Sequence, residues 1–303
     1  MHQKYAALCG YTEEEIKENF QDYITEISTS SGVTAEAVLA DLKSWYNGFR
    51  FSKSKIKVYN PWSTLSFFDT GELENYWFET GTPSFLLELI KNKDFNIVQK
   101  ASFQAYASFF TSFDLEALEV LPLLFQSGYL TIQEYNRELN YYTLGFPNKE
   151  VKQSFIHNLL DSFAKVNSDS SLIQLTKSII NHDLPGFFAS MDILLAKVDY
   201  DLQLKDEKYW QSLFYMILTL LGYQIQAEFK TSKGRIDAVL ETKTHIYIFE
   251  FKTTKSEEVT LEQIKEREYY KCFADSSKEI VLVGSRFVIE DKKLLTTYLS
   301  EVL

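Results

Sequence analysis

The chain has 303 residues, 45% apolar and 16% aromatic, enough for two domains with large aromatic cores and too apolar for a disordered protein. Its net charge of -11 excludes a generally basic nucleic-acid binder, and its apolar runs are too short to span a membrane. Two distant cysteines, Cys9 and Cys272, and four histidines without ligand spacing exclude a disulfide framework and a zinc centre, so packed thiols and a cytoplasmic location are expected.

The first two hundred residues read mainly as helices. "TEEEIKENFQDYI" places Ile16, Phe20 and Ile24 four apart, and "AEAVLADLKSWY" follows a capping Thr34. "YNPW" (Tyr59 to Trp62) reads as a packed turn, with proline fixing φ beside large aromatics. From Phe113 to Val151 a helix, the strands "YLTIQEY" and "LNYYTL" and a second helix follow in the order of a winged helix. Phe113 to Tyr135 holds no basic residue, so this segment is expected to pack rather than to read a DNA groove. Helices resume from Val151 and break at Asn167 to Ser171. The polar run Asp199 to Glu207 marks the expected boundary between domains 1–198 and 199–303.

Charge is divided unevenly across that boundary: Leu204–Leu303 holds 15 basic against 16 acidic residues, leaving 16 against 26 before it. The second part reads as a helix from Glu207 with Gly222 as its stop, strands "YQIQAEF", "RIDAVLE" and "IYIFEFK", a helix "TLEQIKEREYYKCF" and a strand "EIVLVG". The order is αβββαβ.

Residues two apart on a strand share a face, so Ile246, Ile248, Glu250 and Lys252 point one way and Tyr247, Phe249 and Phe251 the other. If "RIDAVLE" and "IYIFEFK" pair as a hairpin, Asp237 meets Glu250 and Lys252 on one face. Hydrolysing a phosphodiester calls for hard oxygen ligands holding Mg²⁺ or Mn²⁺, and Asp237, Glu250 and the carbonyl of Phe251 supply them. Lys252 is then placed to orient water or to stabilise charge on phosphorus. Glu207 is expected to complete the metal ligands through water. Gln263, with Arg267 and Tyr270 four and seven residues on, is expected to line the site from the next helix. The competing reading is a structural ion pair of Asp237, Glu250 and Lys252 at a sheet edge.

Asp237 followed by Glu250-Phe251-Lys252 inside an αβββαβ order resembles the PD-(D/E)XK nuclease superfamily. "WYNGFRF", "YNPWSTLSFF", "NYWFETG", "SGYL", "FPNKEV" and "GRID" resemble, across nearly the whole chain, predicted AAA-ATPase-like proteins of gut-type bacteria. That resemblance implies an α+β or α/β protein: a mainly helical, ATPase-associated region with a winged-helix-like hairpin, then a restriction-endonuclease-like domain. It also implies nuclease action on nucleic acid, DNA first, with a second copy of the chain or an ATPase as candidate partners and no membrane. The usual Q-x-x-x-Y form of the site helix is absent, because position 267 is Arg. No G-x-x-x-x-G-K-[ST] occurs among the eleven glycines, so these residues are not expected to hydrolyse ATP by themselves. Two rival functions remain: a non-catalytic nucleic-acid-binding or regulatory module, and a helical protein-interaction scaffold.

Overall fold

The computed structural model of the chain describes residues 3–77, 86, 102–106, 110, 120–164, 169–197, 207–221, 224–231, 234–290 and 293–303. Two compact units form, one of Met1–Lys93 with Ala101–Phe155 and the other of Asp94–Lys100 with Ile156–Leu303. Of the expected boundary from Asp199 to Glu207, all but Glu207 lies outside the described residues. Among the described residues no helix is long and apolar enough to cross a membrane.

In the first unit, helices α1 (Glu13–Asn19), α2 (Gln21–Ser31), α3 (Ala35–Tyr46) and α4 (Pro61–Thr70) pack Ile16, Ile24, Leu42, Tyr46 and Phe67 into one core. Thr12 and Glu15 exchange backbone and side-chain hydrogen bonds at the start of α1, which satisfies two otherwise orphaned N–H groups. "YNPW" is a helix start: the Asn60 side chain accepts from the Ser63 N–H and Pro61 opens the first turn of α4. Strand β1 (Phe103–Tyr106), helix α5 (Val120–Gln126), strands β2 (Thr131–Asn136) and β3 (Tyr141–Gly145) and, as far as Phe155, the start of helix α6 (Lys149–Ala164) follow. Of the expected first helix, 113–119 lies outside the described residues and Val120–Gln126 is helical; the hairpin and the following helix are present, but β1 also pairs antiparallel with β3, giving a three-stranded sheet of order β1-β3-β2. β1 has only four residues, too few for its alternation to stand out in the sequence.

The aromatic motifs of this unit meet around two buried groups. Gly48 lies against Pro147, and the Arg50 guanidinium donates to the backbone carbonyls of Ser52, Lys53, Ser54 and Gln133. The fully buried Glu150 carboxylate accepts from the Ser63 hydroxyl at 2.9 Å and from the Trp77 backbone N–H at 2.9 Å. Residues of "WYNGFRF", "YNPWSTLSFF" and "FPNKEV", with Trp77 of "NYWFETG", therefore have a structural role.

Burial pushes the Glu150 carboxyl up from its ordinary 4.5 to about 7, against the hydrogen bonds it accepts. A raised folded pKa means stability fully present below about pH 4.5 and lost as pH rises through about 7, on the order of 3 kcal/mol. Glu150→Gln can keep an acceptor for Trp77 and offer its amide to Ser63. Its melting temperature is expected to fall less than that of the wild type between pH 5 and pH 8, and equal slopes would remove Glu150 as the cause.

In the second unit, helices α7 (Asp169–Ile180), α8 (Leu184–Leu195) and α9 (Glu207–Leu220) precede strands β4 (Gln224–Thr231), β5 (Gly234–Glu241) and β6 (His245–Lys252). Helix α10 (Glu257–Glu266), a 3-10 turn at Tyr269–Phe273 and strands β7 (Glu279–Glu290) and β8 (Lys293–Val302) complete it. The five strands lie in the order β4-β5-β6-β7-β8, antiparallel except for β6 with β7, whose parallel pairing follows from the α10 crossover between them. The two faces of β6 are those read from the sequence. Phe249 and Phe251 pack against Phe214 of α9, and Phe249 also against Phe187 of α8, whereas Ile246 and Ile248 share a core with Leu261 and Ile264 of α10.

Three expectations are corrected. The strand beginning "EIVLVG" runs twice as far, to Glu290, and β8 is added antiparallel to it, so the order is αβββαββ. The helix expected through Phe273 stops at Glu266, because Glu268 adopts φ 51° and turns the chain into the 3-10 segment. Both cysteines are exposed rather than packed, Cys272 because that segment carries it to the surface.

Candidate active site

Ala238 lies opposite Phe249 and Val239 opposite Ile248, and this register carries Asp237 to the level of Glu250 at the ends of β5 and β6. The Phe251 backbone N–H donates to Asp237 Oδ2 at 2.9 Å, which fixes that carboxylate on the charged face. Lys252 Nζ lies 3.7 Å from Asp237 Oδ2 and 3.4 Å from Glu250 Oε1, and donates to the Phe251 carbonyl at 2.8 Å. A single ammonium is thus surrounded by the three oxygen groups that the sequence assigns to a divalent ion.

Glu250 is only 2% exposed. Its Oε1 accepts from Gln263 Nε2, and its Oε2 is buried with no hydrogen-bond partner. Buried acceptors are seldom left so, because the lost hydration is not recovered. Burial first, then the charge of Asp237, pushes the Glu250 carboxyl up to about 7, against the pull of Lys252 and Arg267.

Gln263 reaches Glu250 because α10 crosses β7 closely at Gly284, the residue beside Glu250 in the sheet. A Cβ there would lie 2.6 Å from Leu261 N and 2.8 Å from the Glu257 carbonyl oxygen, so a bare backbone is needed for the helix to pass.

Asp237, Glu250, Phe251, Lys252 and Gln263 therefore come together. Glu207 is the first residue of α9, but its side chain lies outside what the structure describes. Tyr270 leaves the helical face expected for it, since α10 has ended before it. Its neighbour Tyr269, not singled out in the sequence, takes the inner position: its hydroxyl donates to the Arg235 carbonyl at 2.8 Å and accepts from Arg267 Nη1 at 2.6 Å. The only signal for Tyr269 is the αL residue that precedes it, which sequence period does not show.

Among the described residues no three His, Cys, Asp or Glu side chains gather as a metal cluster. Two carboxylates, a backbone carbonyl and water still fit Mg²⁺, which commonly binds through one or two carboxylates and retains several waters. The unpartnered Glu250 Oε2 and the cation already between the carboxylates agree with that donor set. The Phe251 carbonyl would exchange its Lys252 donor for the ion.

Comparison of sequences bears on the part of the chain that carries this cluster. Residues 205–296 match the family described as the PD-(D/E)XK nuclease superfamily, so a domain of that superfamily occupies the C-terminal part of the chain. The chain is also 29% identical over 305 residues to a protein of Azotobacter chroococcum mcd 1 described as an uncharacterized protein in the vnfD 5' region. That alignment covers 96% of this chain and 56% of the relative, so the chain spans about half the relative's length. No solved structure matches the chain.

Proposed function

We propose that the second unit hydrolyses phosphodiester bonds of nucleic acid, DNA in the first instance, at the cluster of Asp237, Glu250, Lys252 and Gln263. The observation that carries this reading is the buried, unpartnered Glu250 Oε2 beside a second carboxylate and a lysine. A buried charge cluster of this kind costs stability unless it is compensated or used.

A bound Mg²⁺ or Mn²⁺ would polarise the phosphoryl oxygen and lower the pKa of water beside it. Asp237 and Glu250 hold the charge that binds such an ion, and the Phe251 N–H keeps Asp237 aimed. Gln263 fixes the rotamer of Glu250 by its hydrogen bond to Oε1, leaving Oε2 for the ion. Lys252 orients the attacking water and faces the negative charge that grows on phosphorus. Water oxygen bonds to phosphorus, one ester P–O bond breaks, and the leaving oxygen takes a proton, giving a phosphomonoester and a hydroxyl. Glu207, at the start of α9, is the further residue assigned to the ligand set, through water.

A second reading has one observation in its favour: Lys252 is already paired with both carboxylates, as a structural ion pair would be. The fold would then serve as a non-catalytic binding or regulatory module. Labelled duplex DNA, single-stranded DNA and RNA incubated with Mg²⁺, Mn²⁺ or a chelator separate the two. Metal-dependent cleavage by the wild type that Asp237→Asn lacks supports the enzyme, and wild-type inactivity across the panel in both metals overturns it.

A further inference from the structure

Strand β7 carries one charged side chain within an otherwise apolar stretch, "IVLVGSRFVI". Arg286 is the parallel-strand neighbour of Lys252, paired with it across β6 and β7 just as Gly284 is paired with Glu250. Cross-strand partners share a face, with neighbouring strands roughly 5 Å apart. Arg286 is therefore on the catalytic face, one strand beyond the lysine.

Its guanidinium is incompletely satisfied. Arg286 Nε is buried and has no hydrogen-bond acceptor, although the side chain as a whole is half-buried and reachable from solvent. A buried guanidinium N–H without an acceptor forfeits hydration with nothing in return. Nothing in the hydrolytic cluster uses it. A group that lacks only an acceptor, beside a site whose substrate is lined with phosphate oxygens, is suited to one ligand chemistry.

We propose that Arg286 binds a non-bridging phosphate oxygen of the nucleic-acid strand held at the site, through its guanidinium. This rests on the nuclease reading and assigns its substrate-holding residue. Planar guanidinium donors match two phosphate oxygens at once, which a lysine at the same position would not. Arg286 thereby fixes where the strand lies, while Lys252 next to it acts on the reacting phosphate.

The test compares Lys252→Ala with Lys252→Ala/Arg286→Gln, so that binding is read without turnover. Fluorescence anisotropy with labelled duplex and single-stranded oligonucleotides is followed across a salt series in Mg²⁺. Adding Arg286→Gln is expected to weaken binding about 10-fold and to reduce the slope of log affinity against log salt by about 0.9 for a duplex or about 0.7 for a single strand. Arg286→Lys should keep the salt slope and lose part of the affinity. Melting temperature is the control: a guanidinium used only for packing would lower it when removed, whereas this assignment predicts that Arg286→Gln in the wild-type background melts no lower. Unchanged affinity and slope, or a lowered melting temperature without a binding defect, overturns the assignment while leaving the nuclease reading intact. If the wild type neither binds nor cleaves any of the oligonucleotides, both fall together.

Discussion

Lys252→Ala is expected to lower cleavage by roughly 100- to 1000-fold while most substrate affinity remains. The magnitude is that of removing one preorganised donor aimed at charge that develops only in the transition state. Such a group contributes little to ground-state binding, so kcat should fall and KM should stay close to its wild-type value. A structural ion pair predicts a different pattern. Without Lys252 the carboxylates of Asp237 and the buried Glu250 lose their shared cation, and the loss would show as about 1 to 3 kcal/mol of stability with no separate catalytic effect. Steady-state kinetics and chemical denaturation on the same variant decide between them.

Gly48→Ala should be the most damaging single change in the first unit. Gly48 has φ 122°, a conformation that side chains avoid, and a Cβ there would lie 2.0 Å from the Pro147 carbonyl oxygen and 2.8 Å from its carbon. These are backbone atoms at the entry to α6, so no rotamer change relieves the clash. The cost is expected to exceed about 3 kcal/mol, the combined effect of backbone strain and overpacking. Hydrogen exchange should report lost protection in α3, β2 and β3 with the sheet of the second unit unaffected. A variant within 1 kcal/mol of the wild type, on the order of an ordinary surface change, would mean that the Gly48 contact carries no such constraint.

The charged end of β6 was legible in the sequence because a strand has a period of two. Ile246 and Ile248 mark one of its two faces, and the same count places Glu250 and Lys252 on it. Asp237 followed from the short hairpin, since few registers are available to it. Gln263 was legible as a member of the helix crossing that face. Three features were hidden for separate reasons. β1 is too short to show a period, and it pairs with a strand far along the chain. Glu150 reads as an ordinary acidic residue in a helix's first turn, although Ser63 and Trp77, remote in sequence, enclose it. Arg286 follows the Gly284-Ser285 pair, where the apolar run is interrupted, and only the pairing of β7 with β6 and β8 shows that the strand continues.

The central claim, that Asp237 and Glu250 together hold one divalent ion, is tested most directly by calorimetric titration of Mn²⁺ into the wild type, Asp237→Asn and Glu250→Gln. One site in the wild type, weakened at least ~10-fold in each variant while circular dichroism shows both still folded, is the predicted result. Equal affinity in all three proteins would contradict it.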